Sequence, residues 1–238
     1  MTEPLHPLVI VPTYNERENL AILVGELLRI AELHVLIVDD GSRDGTGQLA
    51  DELAAVHRDR VTVLHRTGPR GLGLSYIDAM RRALRLNASV ICQMDADLSH
   101  NPADVPRLLA AATDADLVIG SRYVTGGAIR NWPLRRRLLS AFANRYVRWL
   151  TRLRINDCTS GFRCWRREAL ARMPLDRIES DGYALMVELV WEAQAAGCRI
   201  AEVPITFVER RRGSSKLSWR VVGESVVLPW RLAARRRG

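Results

Sequence analysis

The chain has 238 residues, 47 % hydrophobic and 26 % charged, which is ordinary for a folded soluble protein and enough for one α/β domain with a full core. No run approaches the roughly eighteen apolar residues of a membrane span, and Met1-Thr-Glu-Pro-Leu-His-Pro7 has neither basic nor apolar leader character, so neither a transmembrane helix nor a signal peptide is expected. The net charge of +8 divides into −6 over residues 1–120 and +14 over residues 121–238, a basic half that fits nucleic acid, an anionic membrane or phosphate substrates alike.

Leu8–Pro12 reads as a first buried strand, and Asn15 is placed to cap a helix over Glu16–Ala31. Val35–Val38 is a second strand, ended by Asp39-Asp40-Gly41-Ser42, with a helix over Thr46–His57. Val61–Leu64 is the third strand. Gly68–Gly73 eases the entry to a third helix, Leu72–Leu86. Val90–Met94 is the fourth strand, Pro102 opens the next helix, and Asp116–Gly120 is the fifth strand. Helices are predicted over Pro133–Leu153, Gly182–Ala196 and Ser218–Ala234, with a strand near Arg199–Glu202 and a loop following Phe207-Val208. This alternation of strand and helix, with continuous apolar runs, predicts a mostly parallel central sheet with helices on both faces. Cys92, Cys158, Cys164 and Cys198 form no C-x-x-C pair and read as reduced thiols of a cytosolic protein.

In such folds ligands sit beyond the carboxyl ends of the strands. Four polar clusters fall there: Thr13-Tyr14-Asn15-Glu16, Asp39-Asp40, Asp95-Ala96-Asp97 and Ser121-Arg122. Asp95 and Asp97, two carboxylates at the mouth of a buried strand, repel each other unless a divalent cation lies with them. Each cluster also has a plainer use, as a turn or a helix cap, and it is their convergence that marks a site. Arg210 and Lys216 frame a Gly-Ser-Ser loop whose donors suit phosphate oxygens, and Lys216 is the single lysine among 35 basic residues. The five histidines are dispersed and read as structural or exposed, and no Ser/His/Asp set, cysteine nucleophile or H-E-x-x-H motif is present. Nucleic-acid binding lacks a motif and leaves the acidic rim without a purpose.

Val9–Leu20, Ile37–Ser42 with Asp44-Gly-Thr46, and Met94–His100 together resemble the inverting family-2 glycosyltransferases of GT-A (Rossmann-like) fold. Gly120–Tyr123, Thr159–Arg163, Glu202-Val-Pro-Ile205, Phe207–Arg210 and Gly213–Leu217 narrow the resemblance to the polyprenol-phosphate (dolichol-phosphate) mannose synthases. The resemblance implies a catalytic domain over residues 1–217 and transfer of mannose from GDP-mannose to a polyprenyl phosphate with inversion. It implies that Pro12, Tyr14, Glu16, Val38 and Asp40 hold the nucleotide. Asp95, Ala96 and Asp97 would meet the nucleotide-sugar and a Mg²⁺ or Mn²⁺ ion, and Arg122, Arg210 and Lys216 the donor and acceptor phosphates. Many relatives have Gln at the position of Ser99, so Ser99 or a water is the expected third metal ligand. A sibling activity with UDP-glucose is not separated by any base-reading residue.

A lipid acceptor gives the second half a role. The 133–153 helix and the basic amphipathic helix over 218–238, with Trp219, Val222, Val226 and Trp230, are expected either at a membrane surface or packed on the domain's own core. Peripheral attachment to the cytoplasmic face follows as the expectation, and the same helices could serve an integral-membrane partner protein.

Overall fold

A computed structural model describes residues 6–86, 88–178, 180–209 and 219–235. From the N-terminus, β1 (His6–Thr13), α1 (Arg17–Leu28), β2 (His34–Asp39), α2 (Thr46–Val56), β3 (Val61–His65), α3 (Leu72–Arg85) and β4 (Ala88–Gln93) alternate as the apolar runs predict. A short 3₁₀ turn at Pro102–Asp104, capped by the Asn101 carboxamide oxygen, leads into α4 (Val105–Ala111) and β5 (Leu117–Ser121). Then come β6 (Ala128–Arg130), α5 (Leu134–Thr151), β7 (Arg163–Arg166), α6 (Arg167–Ala171), α7 (Gly182–Ala195), β8 (Ile200–Pro204), β9 (Thr206–Val208) and α8 (Trp219–Arg235).

Among the described residues, seven strands form one sheet in the order β3-β2-β1-β4-β7-β5-β8, and β6 pairs with β9 in a small parallel ribbon. The large sheet is parallel except at β7, which runs antiparallel to both β4 and β5. One apolar cluster lies on each face: Leu8, Ile10, Tyr76, Met80, Ile91 and Trp165 on one, and Val9, Val11, Leu20, Leu23, Val35 and Phe162 on the other. Alternate residues of a fully covered strand serve opposite faces, which is why these strands read as unbroken apolar runs.

Phe207 and Val208, ahead of the expected loop, form part of β9, and β7 and α6 have no counterpart among the predicted elements. Because β7 lies antiparallel beside β4, Cys92 and Cys164 stand directly opposite each other and are joined by a disulfide. The reading of four reduced thiols is therefore corrected, and for that pair the argument toward a reducing compartment falls away. Cys158 and Cys198 are free, and burial pushes the Cys158 thiol up to about 12.

Asn15 does not cap α1. It takes a left-handed conformation (φ 56°) and ties two loops together instead. Its backbone N–H donates to the Ser42 hydroxyl and its side-chain oxygen accepts from the Arg43 N–H. Thr46 and Asp44 accept from the N–H groups of Glu16 and Arg17 in the same seam. The loops after β1 and β2 thus form one stitched floor. The Gly68–Gly73 entry is tight at one point: a Cβ on Gly73 would come within 2.6 Å of the Ser180 carbonyl.

Candidate active site

A cavity of about 610 Å³ opens at the carboxyl ends of β1, β2 and β4. Pro12, Tyr14, Glu16, Asp40, Asp95, Ala96 and Asp97 line it, so seven of the residues expected at the site are brought together. Val38 is not in the wall: its side chain is wholly buried in the core, and its carbonyl accepts the Thr13 hydroxyl. Arg210 and Lys216 lie outside the described residues, as do the side chains of Trp219 and Val222.

Asp40 accepts from the Gly71 N–H at 2.9 Å and from the Arg66 guanidinium, which also binds Asp78. The helix entry at Gly71 is thereby pinned to the end of β2. Over the outer part of the cavity, Arg70 donates to the Tyr14 hydroxyl and lies 5.0 Å above its ring. Asp181 accepts from Gly73 and Gly182, joining the start of α3 to the start of α7. Arg70 lines the cavity from the Gly68–Gly73 helix entry; Asp181, Tyr183 and Met186 line it too, and the sequence reading named none of these three.

Asp95 is held from below. The hydroxyl of the fully buried Tyr76 donates to Asp95 Oδ1 at 2.8 Å, and burial followed by the Asp95 charge pushes the Tyr76 pKa well up. On the other side Gly161 lies so near that a Cβ there would meet Asp95 Oδ2 at 3.4 Å. Asp97 is buried, and its Oδ1 accepts both the N–H (3.1 Å) and the hydroxyl (2.5 Å) of Ser99. This geometry is set by Leu98, whose φ of 59° is a conformation that costs a non-glycine residue about 1–2 kcal/mol. The Ser99 carbonyl in turn accepts the Val208 N–H of β9.

A second cavity, of about 40 Å³, shares a wall with the first: Asp95, Asp97, Thr159, Gly161 and Tyr183 line both. Ser99, His100, Arg122, Trp132, Arg136 and Phe207 complete it. Arg122 therefore belongs to the smaller cavity and not to the larger. It is buried and forks onto Asp157, with Nε and Nη2 each 2.7 Å from a carboxylate oxygen, and Nη2 also donates to Thr159. Burial alone would raise the Asp157 carboxyl, but the Arg122 charge and hydrogen bonds outweigh it and hold the pKa below its ordinary 3.8. Arg136, from the first turns of α5, stacks 4.1 Å over Trp132 and pairs with Glu209.

His100 and Trp132 each have a buried ring nitrogen, Nδ1 and Nε1, without a hydrogen-bond partner among the described residues. His100 lies between Phe162 and Phe207, where burial lowers its pKa and keeps it neutral. The histidine expected to be merely structural or exposed lines the smaller cavity.

Hard oxygen donors from two carboxylates suit Mg²⁺ or Mn²⁺. Among the described residues no group of three or more His, Cys, Asp or Glu is arranged to hold a metal. A cation at Asp95 and Asp97 would take its remaining ligands from water and a bound phosphate, as Mg²⁺ commonly does. The Ser99 hydroxyl is engaged with Asp97, so Ser99 orients that carboxylate whether or not it also touches a cation.

Residues 8–173 match the sequence profile of Glycosyl transferase family 2. The chain is 49 % identical over 232 residues to the polyprenol monophosphomannose synthase of Mycolicibacterium smegmatis, covering 96 % of this chain and 88 % of that one. It is 48 % identical over 234 residues to the undecaprenyl-phosphate mannosyltransferase of Micrococcus luteus, covering 97 % and 96 %. Among solved structures, a mannosyltransferase from Pyrobaculum calidifontis in complex with GDP-Man and Mn²⁺ superposes with a TM-score of 0.58 at 21 % identity, covering 98 % of this chain and 74 % of that one. At that identity the likeness is one of fold.

Proposed function

The chain belongs to glycosyl transferase family 2, and from that premise we propose that it transfers mannose from GDP-mannose to a polyprenyl monophosphate, giving polyprenyl-phosphate-mannose and GDP with inversion. The names of the two relatives, at nearly half identity over almost the whole chain, support this donor and acceptor. The observation that carries the reading is the shared wall: one pair of carboxylates lies between a cavity large enough for a nucleotide-sugar and a small one lined by Arg122 and Arg136.

In this reading Pro12, Tyr14, Glu16 and Asp40 hold the nucleotide over the stitched floor, and Val38 packs in the core away from it. Arg70 and Tyr14 close over the base and ribose. Asp95 and Asp97 hold Mg²⁺ or Mn²⁺, which when bound offsets charge on the donor pyrophosphate. The acceptor phosphate sits in the smaller cavity, where Arg122 and Arg136 supply charge and Trp132 an indole N–H. Arg210 and Lys216, outside the described residues, would add further cations. A phosphate monoester is already anionic at neutral pH, so its attack on the anomeric carbon requires no strong base. What the protein supplies is close placement of two anions that would otherwise repel. Residues 1–217 form the catalytic domain, and the acceptor's tail requires work at a membrane, peripherally on its cytoplasmic face. No helix among the described residues is long and apolar enough to cross one.

The test is incubation with GDP-mannose or UDP-glucose, a short-chain polyprenyl phosphate, and Mg²⁺, Mn²⁺ or chelator. Mannosyl transfer is expected, abolished by chelator and reduced on the order of 10²–10³-fold by Asp97→Ala. Transfer from UDP-glucose alone, or turnover indifferent to chelator, would overturn the reading.

A further inference from the structure

Five residues line both cavities: Asp95, Asp97, Thr159, Gly161 and Tyr183. The first four are engaged or small. Asp95 accepts from Tyr76 and Asp97 from Ser99, the Thr159 hydroxyl accepts from Arg122 and Asn144, and Gly161 has no side chain. Tyr183, 38 % exposed, brings the remaining bulk. Its placement is built into the fold. Asp181 caps α7 by accepting the Gly182 N–H at 2.7 Å, and it also accepts the Gly73 N–H at 2.5 Å, so the starts of α7 and α3 are tied together. Gly182 takes a φ of 55°, a left-handed conformation that glycine adopts without strain, and Tyr183 follows it directly. Met186, three residues on and so on the same side of α7, lines the larger cavity, and its carbonyl accepts from the buried Arg163 guanidinium. A large ring on a fixed stem therefore stands where the two cavities meet.

We propose that Tyr183 is a specificity-determining residue that selects the acceptor over water: its ring divides the larger cavity from the smaller and closes the donor's anomeric carbon to solvent. The proposal rests on the reading of the larger cavity as the nucleotide-sugar site and of the smaller as the acceptor phosphate site, and it adds what separates transfer from hydrolysis. A sugar nucleotide poised for attack by a phosphate oxygen is open to water as well, and exclusion of water from the closed site prevents that side reaction. In hydrolysis a water oxygen bonds the anomeric carbon as the bond from that carbon to the pyrophosphate oxygen breaks. GDP leaves with the electron pair, and one proton passes to solvent. Transfer breaks the same bond and differs only in the nucleophile, so the choice between them depends on access. Asp95 and Asp97 cannot exclude water, because carboxylates hold it, and Gly161 offers nothing to exclude it with. An aromatic ring can, being large, apolar on its faces and restricted to few rotamers.

The experiment follows two products of one incubation with GDP-mannose and a short-chain polyprenyl phosphate: total GDP and mannosyl lipid. Their difference is free mannose, which reports hydrolysis. Tyr183→Ala is expected to raise the ratio of hydrolysis to transfer by about tenfold or more, because it opens the partition to water. Tyr183→Phe, which retains the ring, is expected to hold that ratio within about twofold of wild type. Tyr183→Leu, apolar, smaller and well suited to a helix, is expected to fall between the two and serves where the Ala variant folds poorly. Transfer and hydrolysis that fall in step in the Ala and Leu variants, with the ratio unchanged, would leave Tyr183 a packing role alone and overturn the proposal. So would a Phe variant as hydrolytic as the Ala variant, since the discrimination would then belong to the hydroxyl. A wild type that transfers from UDP-glucose and not from GDP-mannose overturns the proposed donor instead, and the same ratio is then read with UDP-glucose. A wild type active on neither donor overturns the reading on which the proposal stands, and the proposal with it.

Discussion

Tyr76 has no exposed surface, yet its hydroxyl ends on Asp95 Oδ1. A buried phenol that donates to a carboxylate fixes that carboxylate's rotamer and stabilises its charge. Tyr76→Phe removes the hydroxyl with little change of shape. Outer hydrogen bonds of this sort are typically worth 10–100-fold in metal affinity or activity. Mn²⁺ titration followed by electron paramagnetic resonance is therefore expected to show binding weakened by about tenfold, with the melting temperature little changed. Undiminished Mn²⁺ affinity would show that Tyr76 serves packing alone. Ser99 is the counterpart on Asp97, and a single left-handed residue, Leu98, makes its reach possible.

Between elements, the smaller cavity depends on a relay of charges. Glu202 on β8 accepts from the Asn156 backbone and side chain and from the Asp157 N–H, and Asp157 in turn grips Arg122 just beyond β5. Both members of the Arg122–Asp157 pair are buried, so removing one leaves an uncompensated charge at a cost of about 3–5 kcal/mol. Asp157→Asn is expected to lower the urea midpoint accordingly. The pH signature follows from the sign of the shift. The folded-state pKa of Asp157 lies below 3.8, so its contribution is complete above that value and is lost as pH falls through the folded-state value. Wild-type stability should therefore fall more steeply on acidification than that of the variant, and parallel pH profiles would contradict the assignment. This region was also the least legible in the sequence. The strands β1, β2 and β4 announce themselves as apolar runs that end in acids, and the site residues behind them were found by that pattern. β7 reads Arg-Cys-Trp-Arg, and Arg163 is wholly buried with its guanidinium on the carbonyls of Cys158, Ser160 and Met186. Charge in the sequence suggested surface where the fold has core. Because β7 runs backwards, residues that precede it, Thr159 and Gly161, sit at the rim. A search confined to residues after strands passes over them. Asp181 and Tyr183 were missed for a similar reason, entering at the start of a helix with no motif to mark them.

Across the whole molecule, the acidic half carries the nucleotide floor and the basic half carries α5, α8 and the arginines of the smaller cavity. That division suits an enzyme that works against a negatively charged surface. Raising salt from about 0.1 M to 1 M shortens the screening length from about 10 Å to 3 Å. Turnover of a long-chain acceptor in phosphatidylglycerol vesicles is expected to fall severalfold over that range, while turnover of a soluble short-chain acceptor changes little. Equal salt sensitivity of the two would place the effect in the catalytic site and not at the surface. Helix α5 starts at the smaller cavity, with Arg136 in its wall. From Arg136 to Phe142 is about 9 Å along the α5 axis, at 1.5 Å per residue. With the acceptor phosphate at Arg136, that distance allows the protein to inspect the acceptor's phosphate and the first few carbons of its chain, with everything beyond left in the lipid. Such an enzyme would be a poor judge of length: polyprenols of many sizes would be equivalent substrates, and their selection would pass to whichever upstream synthase determines how many isoprene units the membrane contains.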